Sequence, residues 1–273
     1  MEHLQNANHK LRSGSLFAMI AANFVPTTRL GPIKIRMIQI STLRTLCLPL
    51  LFLASGVAIA QPRSGNWLTV SRSNLCVTEG VIEKTSANRL SVNVSKMRAY
   101  VNAWTAQSAE IRFTYGGGTR QQSALGSGQM RRQFGLKLHA QDACNLVYAI
   151  WRIEPESKFV VSVKTNPDAH SSSECGNRGY ATIKPRKASP VPSLQPGQSH
   201  ALRAEMKNSE LRIYVDDREV WQGDVGAHAA ELAGPVGIRS DNAQLEFDLA
   251  AREYEGAHPD SVKACRTGAT DSD

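Results

Sequence analysis

The chain has 273 residues, and its 32 Lys+Arg against 24 Asp+Glu give a formal charge of +8. Residues 1–60 contain six of those basic residues and one of the acidic ones, so residues 61–273 carry 26 against 23, or +3. That near balance excludes a nucleic-acid ligand held by a concentrated basic face. A stretch of 213 residues suits one domain of the larger all-β kind with a substantial core.

Residues 1–36 hold Lys10, Arg12, Arg29, Lys34 and Arg36 and no sustained periodicity. They read as an upstream mis-start, with Met37 as the true beginning, or as an extended n-region. Residues 37–60 read as a secretory leader. Arg44 is the only charge, an apolar run extends from Leu46 to Ile59, and Ala58-Ile59-Ala60 has the small-x-small pattern that a signal peptidase accepts. The apolar run is shorter than the about 20 residues needed to span a bilayer, and no later run approaches that length. The expectation is a secreted or periplasmic protein, cleaved near Ala60, with no membrane span in the mature chain. Cys47 is lost with the leader. Cys76, Cys144, Cys175 and Cys265 remain, and four cysteines in an oxidising compartment allow three pairings. The favoured one joins Cys144 to Cys175, pinning a long loop to its parent strand, and Cys76 to Cys265, tying the ends of the domain together. No pair has the C-x₂-C spacing of a zinc site.

From Trp67 onward, period-two alternation predicts strand after strand. Residues 90–95, 110–115, 133–139, 145–153 and 158–164 come first; 201–206, 211–215, 219–223, 236–239 and 244–249 follow. Turn chemistry at Gly116-Gly-Gly, Glu154-Pro-Glu-Ser, Asp216-Asp217 and Ser240-Asp-Asn separates them. Only Ala227 to Leu232 looks helical. The stretch Asn166 to Gln198, rich in Pro and Ser, is predicted to be a long functional loop, stapled through Cys175 and packed through Tyr180. The fold class expected is all-β, a two-sheet antiparallel sandwich filling residues 61–273.

Strand parity picks out one candidate surface. Ile111, Phe113 and Tyr115 share a face, which leaves Glu110, Arg112 and Thr114 opposite; Leu136 and Leu138 likewise leave Lys137 and His139. If the central strands are neighbours, Arg112, Lys137, His139, Tyr148, Arg152 and Lys164 gather over one open face, with Cys175 to Tyr180 as a rim. Arginine forks and a tyrosine ring suit an anionic or hydroxyl-rich glycan. His139 and Tyr148 are the candidate acid–base pair if the site is catalytic. A protein-interaction module contacting the 166–198 loop is the other reading.

The C-terminal strands carry a resemblance. Leu202-Arg-Ala-Glu-Met, Leu211-Arg-Ile-Tyr-Val-Asp-Asp-Arg-Glu-Val-Trp221, Gly234-Pro-Val-Gly-Ile-Arg-Ser240 and Leu245-Glu-Phe-Asp-Leu249 together resemble the closing hairpins of concanavalin A-like jelly-roll domains, the laminin-G-like and keto-disaccharide-hydrolase-like ones above all. The resemblance implies a jelly roll that binds a polysaccharide, or a hydrolase or lyase acting on one. It also makes calcium at Asp216, Asp217 or Asp241 conceivable, although no cofactor is otherwise expected. The E-x-D-x-x-E strand of the superfamily's glycosidases has no complete copy: Glu246-Phe-Asp248 is followed by Ala251. Ala109-Glu-Ile-Arg112 and Lys137-Leu-His139 resemble two strands of alginate-lyase-type jelly rolls, and imply Glu110, Arg112 and His139 as site residues.

Overall fold

The computed structural model describes residues 66–85, 89–102, 106–253 and Cys265. The leader at 37–60 and the stretch 1–36 lie outside the described residues. In chain order the strands begin with β1 (Trp67–Val70), β2 (Leu75–Glu79), β3 (Glu83–Lys84), β4 (Leu90–Val92), β5 (Lys96–Val101) and β6 (Ala106–Gly118). Then come β7 (Arg132–Leu138), β8 (Leu146–Glu154), β9 (Lys158–Lys164), the short helix α1 (Ser172–Cys175), β10 (Tyr180–Ile183) and β11 (Lys187–Ala188). The chain closes with β12 (Ser199–Lys207), β13 (Glu210–Val215), β14 (Arg218–Asp224), α2 (Ala227–Glu231), β15 (Gly237–Asp241) and β16 (Ala243–Glu253).

These strands form two antiparallel sheets, and the expected all-β sandwich is the architecture present. The larger, nine-stranded sheet runs β11-β14-β13-β12-β6-β16-β4-β3, with β1 also paired to β16. The smaller, seven-stranded sheet runs β10-β9-β8-β7-β15-β5-β2. Alternation explains the layering. Ile111, Phe113 and Tyr115 of β6 and Phe134, Leu136 and Leu138 of β7 point inward and are fully buried. Phe113 meets Phe134 edge-on at 4.6 Å and Trp151 at 5.9 Å, so three rings cross the gap between the sheets.

Local chemistry fixes the turns. Asp216 and Asp217 both take positive φ (50° and 62°), the handedness of a two-residue hairpin between β13 and β14. At Gly237 a Cβ would come within 2.3 Å of the Ala99 carbonyl oxygen, so β15 fits between β5 and β7 as glycine.

Disulfides join Cys76 to Cys265 and Cys144 to Cys175, the pairing favoured from sequence. The stretch 166–198 is not a bare loop. It contains α1, lends β10 to one sheet and β11 to the other, and buries Leu194. The Asn145 amide donates to the carbonyls of Asn166 (3.1 Å) and Ala169 (3.0 Å), fastening this stretch to the start of β8. Deleting it would therefore remove a strand from each sheet. Among the described residues no helix is long and apolar enough to cross a membrane.

Candidate functional site

A hollow of about 290 Å³ lies on the outward face of the smaller sheet. Its floor is Tyr148, Ile150 and Arg152 of β8, flanked by Gln133 of β7 and Ser162 of β9. Register brings these together: Arg152 pairs with Gln133, and Tyr148 with Ser162, so all face the same way. Tyr180 and Thr182 of β10 close one side, and Arg239 of β15 the other. A wall rises from Gln129 and Arg131, in the connection between β6 and β7.

Asn242 holds that wall. It turns the chain from β15 to β16 at φ 57°, and its buried side chain accepts from Ser123 N (2.9 Å) while donating to the carbonyls of Ser123 and Arg131 (2.8 Å each). The turn residue read from sequence is thus also the fastening of the groove's wall.

Beside the floor, on β15, β7 and β5, sits a buried charge cluster. The Asp241 carboxylate accepts from Arg98 (2.6 Å), Arg239 (2.9 Å) and Gln133 (2.8 Å), and Arg98 also donates to the carbonyl of Ser240 (3.0 Å). Burial would raise the carboxyl's pKa, but the Arg239 and Arg98 guanidiniums and the Gln133 amide outweigh it and hold the group well below the usual range. The cluster aims Arg239 so that its guanidinium lies 5.1 Å from the Tyr148 ring centre. On its other flank Tyr148 stacks on Tyr180 at 6.0 Å. Tyr148 is accordingly covered, and Tyr180, at 38% exposure, presents the ring that a ligand can reach.

Arg152 differs from its neighbours. Its Nε is buried without a hydrogen bond, and among the described residues the guanidinium makes no ion pair. Burial depresses its pKa first and the charge of Arg131 adds to that, against the pull of Glu156. Glu156 itself is engaged by Lys158, and Glu154 by Arg132. The hollow's lining contains three arginines and no carboxylate.

The residues expected to converge do so only in part. Tyr148 and Arg152 line the groove, and the rim expected at Cys175 to Tyr180 is supplied by Asn177 and Tyr180. Lys137 and Lys164 face the same way but are buried; Lys137 sits between Tyr148 and Gly237, and the Lys164 ammonium lies 5.0 Å from the Tyr180 ring centre. Arg112 is a correction. It lies on β6, which pairs with β12 and β16 in the larger sheet, and it is bound to Glu110 at 2.7 Å. His139 is another: β7 ends at Leu138, the next residue turns with φ 47°, and the ring is buried outside the groove. Burial lowers its pKa, partly offset by the Leu232 backbone, which raises it. His139 therefore shares no substrate position with Tyr148, nor with the Glu110–Arg112 pair that the lyase-like motif would bring to it. Arg131, Arg239 and Gln133 were missed as site residues. The signal for Arg239 was the polar parity of 237–241, which becomes legible only once β15 is known to lie beside β7.

Other candidates resolve similarly. Glu246 and Asp248 both receive Arg89, each at 3.1 Å, on the larger sheet's outer face. Asp216 binds His200 (2.7 Å) and Asp217 binds Arg203, so with Asp241 enclosed by guanidiniums the three do not assemble a calcium site. Among the described residues no cluster of three or more His, Cys, Asp or Glu could hold a metal ion.

No family model and no curated protein sequence matches the chain. Solved structures do. Carbohydrate binding module CBM66 from Bacillus subtilis is similar with a TM-score of 0.45 and 15% identity over 64% of this chain and 91% of its own. Domain 4 of the extracellular arabinanase AbnA from Geobacillus stearothermophilus gives 0.36 and 11% over 69% and 85%. The Caenorhabditis elegans galectin LEC-6 gives 0.35 and 6% over 67% and 99%. The two-sheet antiparallel design of this chain stands on its own strand pairing.

Proposed function

We propose that this is an exported glycan-binding protein whose sugar lies in the groove on the smaller sheet. The observation that carries the reading is the chemistry of the lining: one exposed aromatic ring, Tyr180, beside hydrogen-bonding side chains from four strands, Gln133, Ser162, Thr182 and Arg239. A pyranose has an apolar C–H face that packs on such a ring and an edge of hydroxyls that both donate and accept, which amides, hydroxyls and guanidiniums satisfy together. The two disulfides suit an oxidising compartment and so agree with the leader expected at 37–60.

Catalysis is not part of the proposal. Retaining glycosidases need two carboxyl groups about 5 Å apart across the bound sugar, and the groove's lining has none. A glycan array followed by titration calorimetry tests the reading. Tyr180→Ala is expected to weaken the best glycan by about 10-fold, the loss of one stacking contact worth ~1–1.5 kcal/mol. An array without a binder, or a Tyr180→Ala variant that binds unchanged, removes the groove from consideration.

A further inference from the structure

We infer that the groove is built for a charged sugar, with Arg131 and Arg152 forming a subsite for an oxyanion carried on the glycan. The inference rests on the glycan reading above and specifies its substrate class.

Three features point there independently. Arg152 is half-buried on the floor with a buried Nε that no described residue accepts from. A buried donor left unsatisfied is costly unless something arrives to accept from it. Arg131 stands close enough to depress the Arg152 pKa, so two like charges are held together with no carboxylate between them in the lining. Their nearest acidic neighbours are occupied: Glu156 by Lys158, Glu154 by Arg132, and Asp241 by Arg98 and Arg239. An arriving anion would accept the unused N–H groups and relieve the repulsion between the two guanidiniums, whereas a neutral sugar could do only the first. Tyr180 lies on the opposite side of the same hollow, so a ring stacked there could extend its charged substituent toward the pair. A carboxylate and a sulfate ester share the chemistry needed, since both offer paired oxygens to an arginine fork.

Paired polymers differing only in charge decide it. Oligogalacturonate against its methyl ester tests the carboxylate, and sulfated against unmodified dextran oligomers tests the sulfate, by calorimetry at about 0.15 M salt, where distant charges are screened. The expected result is that one charged member binds about 10- to 100-fold more tightly than its neutral partner. That preference should vanish in the Arg131→Ala/Arg152→Ala variant and persist in Arg212→Ala on the other sheet. Arg152→Gln, which keeps the side chain's bulk, guards against a loss caused by misfolding, and thermal melts report folding for every variant. Equal binding of charged and neutral partners overturns the oxyanion subsite and leaves the glycan reading standing. A charge preference that survives the double substitution places the anion elsewhere and also overturns the inference. Failure of every polymer, charged or neutral, to bind overturns both.

Discussion

On the larger sheet's outer face arginines meet carboxylates. Arg112 and Arg203 both reach Glu110, Arg203 and Arg252 reach Glu205, Arg212 is held by Glu210, and Arg89 bridges Glu246 and Asp248. The smaller sheet's outer face also carries arginines, but there the carboxylates that Arg98 and Arg239 meet, Asp241 and Glu79, lie outside the groove's lining, and among the described residues Arg131 and Arg152 make no ion pair. Neutralised in place, guanidiniums make a solvated surface of little net consequence; held apart from their counter-charges, they make a site.

The sharpest way to break this contrast is to remove the buried counter-charge. Asp241→Asn removes the carboxylate that Arg98 and Arg239 share, leaving Arg98 only Glu79 at 3.9 Å, and is expected to cost about 3–5 kcal/mol of stability, read by chemical denaturation, together with loss of glycan binding as Arg239 swings from Tyr148. Opening the 31-residue Cys144–Cys175 link by Cys144→Ser/Cys175→Ser is expected to cost about 3–4 kcal/mol on the chain-entropy estimate. It should weaken binding too, because β10 carries Tyr180; unchanged binding would mean that pairing with β9 alone positions the ring. Arg112→Ala should do less. Arg112 is part-exposed but Glu110 is buried, so the cost lies between the up to about 1 kcal/mol of an exposed pair and the about 3–5 kcal/mol of a broken buried one; Arg203 remains at 3.6 Å from Glu110, and glycan affinity should not move. A measurable loss of affinity in that variant would make the paired face a participant.

The smallest effect is a pH dependence. The folded pKa of His139 lies below its ordinary value because the ring is buried. Its contribution to stability is therefore complete above the unfolded value of about 6.5 and is lost as pH falls through the folded one. Melting temperature should decline on acidification over that window, and His139→Phe should flatten the decline.

Much of this was readable from local pattern. Ten of the sixteen described strands, the inward aromatics and the turn at Asp216-Asp217 follow from alternation and turn residues, whereas β1, β2, β3, β5, β10 and β11 were not picked out, and the disulfides present are the favoured one of three pairings that four cysteines allow. Sheet membership did not follow, because it depends on partners far away in the chain. Parity turned Arg112 outward correctly, but only the pairing of β6 with β12 and β16 decides which outward face it joins. The same non-local pairing hid Arg239, which reaches the groove because β15 inserts between β5 and β7. His139 failed for a different reason: period two was extended one residue past a strand end, into a turn with positive φ. Arg131 lies in a connection with no period at all, fixed by Asn242.

The stretch 166–198 has a consequence beyond the groove it borders. Because β10 and β11 are the outermost strands at one end of their respective sheets, the segment acts as a clasp over two exposed borders at once. Stripped of it, β9 and β14 would each present an unsatisfied row of amides and carbonyls, a template onto which a second copy could add its own strand. Proteolytic nicking or reductive loosening of this clasp is thus expected to yield higher-order assemblies, visible by light scattering, before it yields unfolded chain.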